Sequence, residues 1–303
     1  MQKIKPFLWF DNQAEEAVSF YTSIFKNSKV MATTRYEENG AEVSGQPNGS
    51  VMTQSFQLEG QSFIALNGGP FFKFNPSISF FVVCETENEV DKLWEHLSQN
   101  GQVLMELGEY DWSKKYGWVS DRYGISWQLA HGKLAEVGQV ITPTLMFVNA
   151  QHGRAEEAIN FYTSVFKNSA VGGIMRYEAG GKDPEGTIAH AQFTLDGDVF
   201  MAMDSALDHD FTFNEAISFV IDCDTQSEVD TYWDKLTEGG DEKAQQCGWL
   251  KDQFGVSWQV IPRVLGELLN DPDAAKVQKV TKVMLQMKKL DVAGLQQAYG
   301  MES

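Results

Sequence analysis

The chain has 303 residues, 43% of them hydrophobic and 22% charged, which suits a folded protein of about two domains at roughly 150 residues each. A formal charge of −18 repels phosphate backbones and argues against nucleic-acid binding. No run approaches the ~18 consecutive apolar residues of a membrane span.

Residues 4–10 (IKPFLWF) read as an aromatic-rich strand leading into a helix. Ala14, Ala17, Val18, Tyr21, Ile24 and Phe25 follow the 3–4 spacing of one helical face. Strand-like stretches follow near 30–36, 50–58 and 62–67, and the cycle restarts with a strand at 77–83. Thr86 and Glu89 form a capping-box signature before a helix with Val90, Leu93, Trp94 and Leu97 on one face. Short strands then end at ISWQLA, and HGKLAEVGQ (131–139) reads as a connection.

After it the chain is written again. AEEAVSFYTSIFKNS (14–28) recurs as AEEAINFYTSVFKNS (155–169), and ISFFVVCETENEVDKLWEHL (78–97) as ISFVIDCDTQSEVDTYWDKL (217–236). GWVSDRYGISWQ (117–128) recurs as GWLKDQFGVSWQ (248–259). The offsets fall from 141 to 139 to 131, which places the length changes in loops, chiefly between Leu236 and Gly248. A tandem duplication is the reading, with copies at 1–137 and 138–262, each holding two βαβββ units. Residues 263–303 have no counterpart in the first copy. There Asp271-Pro272 marks a helix start, Val277, Val280, Met284 and Met287 form an apolar stripe, and Asp291 begins a last short helix.

The doubled βαβββ unit, the opening P-x-L-x-F…A-E-E-A-x-x-F-Y-x-x-x-F and the closing G-W-x-x-D-x-x-G-x-S-W-Q resemble the vicinal oxygen chelate superfamily. Within it they resemble the PhnB-like branch related to glyoxalase and bleomycin-resistance proteins. The resemblance covers about 3–131 and 140–262, and the tail is similar to the helical extension of some members. It implies an α+β fold of cupped mixed sheets built by pairing βαβββ units. Covalent linkage then lets one chain make the pairing that single-domain relatives make as homodimers. Enzymes of the superfamily hold a divalent metal in the cup as a Lewis acid. Carried onto this sequence, the ligand positions fall on Pro6, Pro143, Gln128 and Gln259. Proline offers no donor and a glutamine amide alone holds metal weakly, so no cofactor is expected, with a divalent metal as the alternative. The PhnB-like branch also carries a demethylubiquinone methyltransferase label, yet no glycine-rich βαβ loop for S-adenosylmethionine is visible.

The residues offer other candidates. Arg35 and Arg176 occupy matched strand positions suited to an anionic group. Trp118, Trp127, Trp249 and Trp258 recur around the GW…WQ motif as cavity-lining or core aromatics. Gln128 and Gln259 are matched hydrogen-bonding groups. His190 stands with Asp204, Asp208, His209 and Asp210 as a second-copy cluster, either a site or a solvated loop. The ligand-binding set is thus Arg35, Trp118, Gln128, Arg176, His190, Trp249 and Gln259. No G-x-S-x-G or nucleotide-binding glycine loop occurs. Three cysteines without a CxxC pair, and an N-terminus lacking signal-peptide character, predict a cytoplasmic protein with structural thiols.

The expected function is binding and sequestering of a small, partly aromatic or anionic molecule by a monomeric pseudo-dimer or a homodimer. The competing readings are a metal-dependent lyase, isomerase or dioxygenase, and a scaffold whose acidic surface and tail engage a protein.

Overall fold

The computed structural model describes residues 2–36 and 45–300, which divide into two compact units. The larger contains Gln2 and Pro6–Ile217; the smaller contains Lys3–Lys5 and the chain from Ser218 onward.

The βαβββ unit recurs through the larger unit. Its first cycle is β1 (Ile4–Phe10, the first two residues lying in the smaller unit), α1 (Ala14–Ile24), β2 (Lys29–Arg35), β3 (Val51–Leu58) and β4 (Gln61–Asn67). The second is β5 (Ile78–Cys84), α2 (Glu87–Ser98), β6 (Gln102–Tyr110), β7 (Ser113–Ser120) and β8 (Ser126–His131). After the short α3 (Leu134–Val137), the third is β9 (Ile141–Phe147), α4 (Ala155–Val165), β10 (Ala170–Arg176), β11 (Ile188–Leu195) and β12 (Asp198–Asp204). Within each cycle the last strand pairs parallel with the first, and the two middle strands continue antiparallel outward.

One eight-stranded mixed sheet runs β10-β11-β12-β9-β5-β8-β7-β6. Its centre is the antiparallel pairing of β5 with β9, where Ser79 lies opposite Thr144 and Phe81 opposite Thr142. β5 comes from the first sequence copy and β9 from the second. The sheet is therefore half of each copy, joined by the connection at 131–139.

Side chains alternate across each strand. The helix-side face of the first copy is an aromatic core in which Tyr21, Phe56, Phe63, Phe80 and Trp127 are each at most 1% exposed. Phe80 meets Phe63 at 5.6 Å and Trp127 at 5.3 Å between ring centroids. Truncating one such ring costs ~3–5 kcal/mol. Ala14, Ala17, Val18 and Tyr21 form the buried face of α1, as their spacing requires. The Thr86 side chain accepts the Glu89 backbone N–H at 3.3 Å, a cap worth ~1 kcal/mol.

The closing motif proves to be a turn with a pin. Asp121 Oδ1 accepts the backbone N–H groups of Tyr123 and Ile125, at 2.8 and 3.1 Å. Its Oδ2 accepts Tyr21 Oη–H at 2.7 Å and Trp127 Nε1–H at 2.8 Å. Gly124, at φ +92°, supplies the left-handed residue that this turn needs. The pin draws Trp127 to the helix side, so the next residue, Gln128, points to the opposite face.

The smaller unit repeats the device: Asp252 accepts Phe254 N–H, Val256 N–H and Trp258 Nε1–H at 2.9, 3.0 and 2.8 Å. Here β13 (Ile217–Cys223, from Ser218 in this unit) pairs parallel with β15 (Ser257–Pro262), and β15 pairs antiparallel with β14 (Trp249–Lys251). Between β13 and β14, α5 (Gln226–Thr237) is capped by Thr225, which accepts Glu228 N–H at 3.2 Å. Three helices follow: α6 (Arg263–Leu269), α7 (Ala274–Met284) and α8 (Val292–Tyr299). α6 starts directly after Pro262, a position where a proline is compatible with the start of a helix. Asp273 caps α7 and Asp291 caps α8. Leu265, Leu268, Val280, Leu290 and Leu295 form one core with Met284 and Met287 against it, so the apolar stripe packs on its own unit. Between α7 and α8 the chain runs beside Cys247 and Gly248, whose N–H groups donate to Met287 O and Lys288 O, both at 2.8 Å. That is the place β6 takes beside β7 in the first copy. Among the described residues, no helix is long and apolar enough to cross a membrane.

Candidate functional site

The face of the eight-stranded sheet opposite α2 and α4 carries the candidate site. Gly117 faces α2, since a Cβ there would fall 2.5 Å from the Trp94 ring; its neighbours Tyr116 and Trp118 therefore project to the other side. They join Ala130, Met146 and Val148 in one buried apolar cluster, against which Phe81, Leu104, Met105, Tyr110, Met203 and Phe211 pack. The wall is thus aromatic on the first-copy side and rich in methionine on the second.

Polar groups occupy the floor. Gln128 Nε2 donates to Ser79 Oγ at 2.8 Å, and its Oε1 accepts Tyr116 Oη–H at 2.7 Å. Trp118 Nε1–H donates to Ser126 Oγ at 2.7 Å. Across the central pairing lie Thr142 and Thr144, 0% and 2% exposed. Among the described residues, neither hydroxyl has a hydrogen-bond partner. A buried polar group left unpaired costs ~1–3 kcal/mol, so two beside each other are a feature that calls for a role.

His190 on β11 lies one residue beyond the Ala191–Ala202 pair, on the face it shares with Met203. Burial alone holds its imidazole below the ordinary range. Three of the sequence candidates, Trp118, Gln128 and His190, are thus gathered on one face although they come from different copies.

The others lie elsewhere. Arg35 ends exposed edge strand β2 and donates to Gly49 O at 3.0 Å. Arg176 ends exposed β10 and is spent on Glu156 at 2.6 Å and Gly186 O at 2.8 Å. Neither is aimed at this face, because edge position and helix-side carboxylate claim them. Trp249 and Gln259 lie opposite each other in the smaller unit, where Gln259 Nε2 donates to Ser218 Oγ at 3.0 Å. Trp127 and Trp258, at 1% and 0% exposure, are core.

The acidic cluster also resolves into structure. Asp204 Oδ1 accepts Gly153 N–H and Ala155 N–H, at 2.8 and 3.2 Å, and Oδ2 accepts Ile188 N–H at 3.0 Å. It thereby satisfies the start of α4. Its first-copy counterpart Asn67 accepts Ala14 N–H at 2.8 Å in the same way. His209 pairs with Ser205 at 2.9 Å.

The early-strand metal position needs correction. Pro143 lies opposite Phe80, and directly opposed residues share a face, so Pro143 belongs to the helix side. Pro6 shares parity with Leu8 and Phe10, which accompany buried Ala65 and Asn67 on that side. The inward positions on β9 are Thr142 and Thr144. Beside hydroxyls, thioethers and an amide already holding two hydrogen bonds, this face offers one imidazole, His190, and a lone imidazole without a carboxylate or second imidazole does not make a divalent-metal site. Among the described residues, no group of three or more His, Cys, Asp or Glu is arranged to hold a metal ion. Tyr116, Thr142 and Thr144 escaped the sequence reading; counting by twos from Gln128 along paired strands is the signal that finds them.

A family model described as 3-demethylubiquinone-9 3-methyltransferase matches residues 2–130 and again 139–261. A solved PhnB protein from Bacillus cereus, bearing the same methyltransferase description, is 44% identical; the match covers 43% of this chain and 100% of that one, with a TM-score of 0.40. A Staphylococcus aureus protein is 32% identical over 44% of this chain and 98% of its own, with a TM-score of 0.18. Glyoxalase I from Zea mays is 11% identical, covering 89% of this chain and 97% of its own at a TM-score of 0.54, a likeness of fold. A comparison with curated proteins found no match.

Proposed function

We propose, for a chain that belongs to the family described as 3-demethylubiquinone-9 3-methyltransferase, that the cup of the eight-stranded sheet binds a small, partly planar molecule without a resident metal and without turning it over. The observation that carries this reading is the pair of buried, unpartnered hydroxyls of Thr142 and Thr144, set beside Gln128 under an aromatic and methionine wall. Such a combination, an apolar wall with a few polar groups at its base, is the usual composition of a small-molecule site.

Entry works through the wall. Met146 and Met203 are unbranched and re-pack at low cost, whereas Tyr116 and Trp118 are held by hydrogen bonds to Gln128 and Ser126. A planar body slides against the held aromatics while the thioethers move aside. Its polar end then supplies the partner that the two hydroxyls lack.

Methyl transfer is not adopted as the activity. The turns from strand to helix, Asp11-Asn12-Gln13, Glu85-Thr86 and Asp224-Thr225, contain no glycine, and the one before α4 holds the single Gly153, short of the glycine-rich loop that lets backbone N–H groups approach a nucleotide-like methyl donor. The glyoxalase-type metal reaction meets the donor-set misfit described above.

The test is thermal unfolding against a panel of phenols and aromatic amides. Stabilisation of the wild type that disappears in Thr142→Val and Thr144→Val supports the reading. Stabilisation of equal size in those variants, or conversion of the compound into product, overturns it.

A further inference from the structure

A second cleft in the larger unit lies outside the cup. It has a volume of about 580 Å³, and Trp9, Phe72, Phe74 and Tyr123 line it together with Lys73 and Arg122. We propose that this cleft binds a small aromatic anion, the ring against Trp9 and Phe72 and the anionic group against Lys73 and Arg122.

The aromatic wall is preformed. Trp9 Nε1–H donates to Gly69 O at 2.9 Å, and its ring lies so close over Gly68 that a Cβ there would fall 2.2 Å from it. Phe72 meets Trp9 edge-on at 5.1 Å, leaving ring surface at a fixed angle for a third aromatic. The guanidinium of Arg122 is also placed, 4.4 Å above the Phe20 ring and 6.0 Å from that of Tyr123. Stacking of this kind leaves the N–H edge of an arginine free for a carboxylate.

Charge favours an anion. Neither Lys73 nor Arg122 has an ion-pair partner among the described residues, in a chain of net charge −18. The acidic residues on the lining are Asp11 and Asp121. Both oxygens of Asp121 are engaged within the fold, so two unpaired cations outweigh Asp11. The duplication adds a comparison inside the molecule. At the repeat offsets, Lys73 corresponds to Thr212 and Arg122 to Gln253. The neighbouring aromatics Phe72, Phe74 and Tyr123 remain aromatic, as Phe211, Phe213 and Phe254. Phe72, Phe74 and Tyr123 thus recur as rings in both copies, while Trp9 stands where the second copy has Met146 and the cations have no counterpart, which leaves Trp9 and the cations for a ligand.

The probe is 2-naphthoate, titrated into the full chain carrying Thr142→Val/Thr144→Val, in which the cup no longer takes an aromatic amide, beside its neutral amide, 2-naphthamide. The expected result is saturable binding of the carboxylate, weaker binding of the amide, and about tenfold loss of carboxylate affinity in K73T/R122Q. These substitutions install residues that the second copy already carries at the same places. Thr142→Val leaves the binding unchanged, which separates this site from the cup. Equal affinity for the amide, undiminished binding in K73T/R122Q, loss in Thr142→Val, or no binding by the wild type each overturns the proposal. If K73T/R122Q does not fold, the carboxylate-to-amide comparison in Thr142→Val/Thr144→Val decides.

Discussion

The Gln128 amide donates to the Ser79 hydroxyl at 2.8 Å across the parallel pairing of β5 and β8. Gln259 and Ser218 repeat the contact at 3.0 Å across β13 and β15. The glutamine of the closing motif is therefore a strut for the cup floor. Gln128→Ala strips partners from Ser79 and Tyr116, both buried, and is expected to cost ~1–3 kcal/mol in urea unfolding. An unchanged midpoint counts against the strut.

Thr142→Val and Thr144→Val act in the opposite direction on stability. Each removes a buried hydroxyl without a partner and keeps the branched shape, so each is expected to raise stability by ~1 kcal/mol in the free protein. The same substitutions abolish ligand stabilisation. A gain in stability together with a loss of binding is the signature of a polar group kept for a ligand; a loss of both assigns the hydroxyls to structure.

His190 makes stability fall on acidification. Burial lowers its pKa in the folded chain below the ordinary 6.5, so between those two values the unfolded chain binds more protons. Stability from this ring is full above pH 6.5 and is lost as the pH falls toward the folded pKa. His209 shifts the same way, with burial again the largest cause. His190→Gln is expected to flatten part of the slope in denaturation midpoints measured across this window. A slope identical to wild type contradicts the buried placement.

Thiol chemistry provides a separate check on the core. Burial pushes the Cys84 and Cys223 thiols up to about 12, so thiolate is scarce at neutral pH and neither reacts as a nucleophile in the folded chain. A thiol reagent at pH 8 is expected to label them only after unfolding. Rapid labelling of either in the native protein refutes the burial.

The duplication, the βαβββ cycles, the Thr86 and Thr225 caps and the apolar stripe of the tail were all legible, because each is a local pattern with its own spacing. Strand pairing between copies was not. β5 and β9 carry the same strand pattern whichever neighbour they take, and periodicity reports faces, never partners. The same gap put the metal position on Pro6 and Pro143, since counting along one strand cannot say which side the helices cover until a neighbour such as Phe80 is known. Thr142 and Thr144 were hidden inside ITPTLMF, which reads as an ordinary buried strand. Arg35 and Arg176 misled because recurrence in both copies marks a shared fold position as readily as a shared site.

Methyl NMR of the methionines tests the cup most directly. With ¹³C-methyl methionine in the wild-type chain, a bound phenol or aromatic amide is expected to shift Met146 and Met203, and those shifts should vanish in Thr142→Val/Thr144→Val. Added Mn²⁺ should leave both resonances sharp. Shifts confined to other methionines, or Mn²⁺ broadening centred on Met146 and Met203, would contradict a metal-free binding cup.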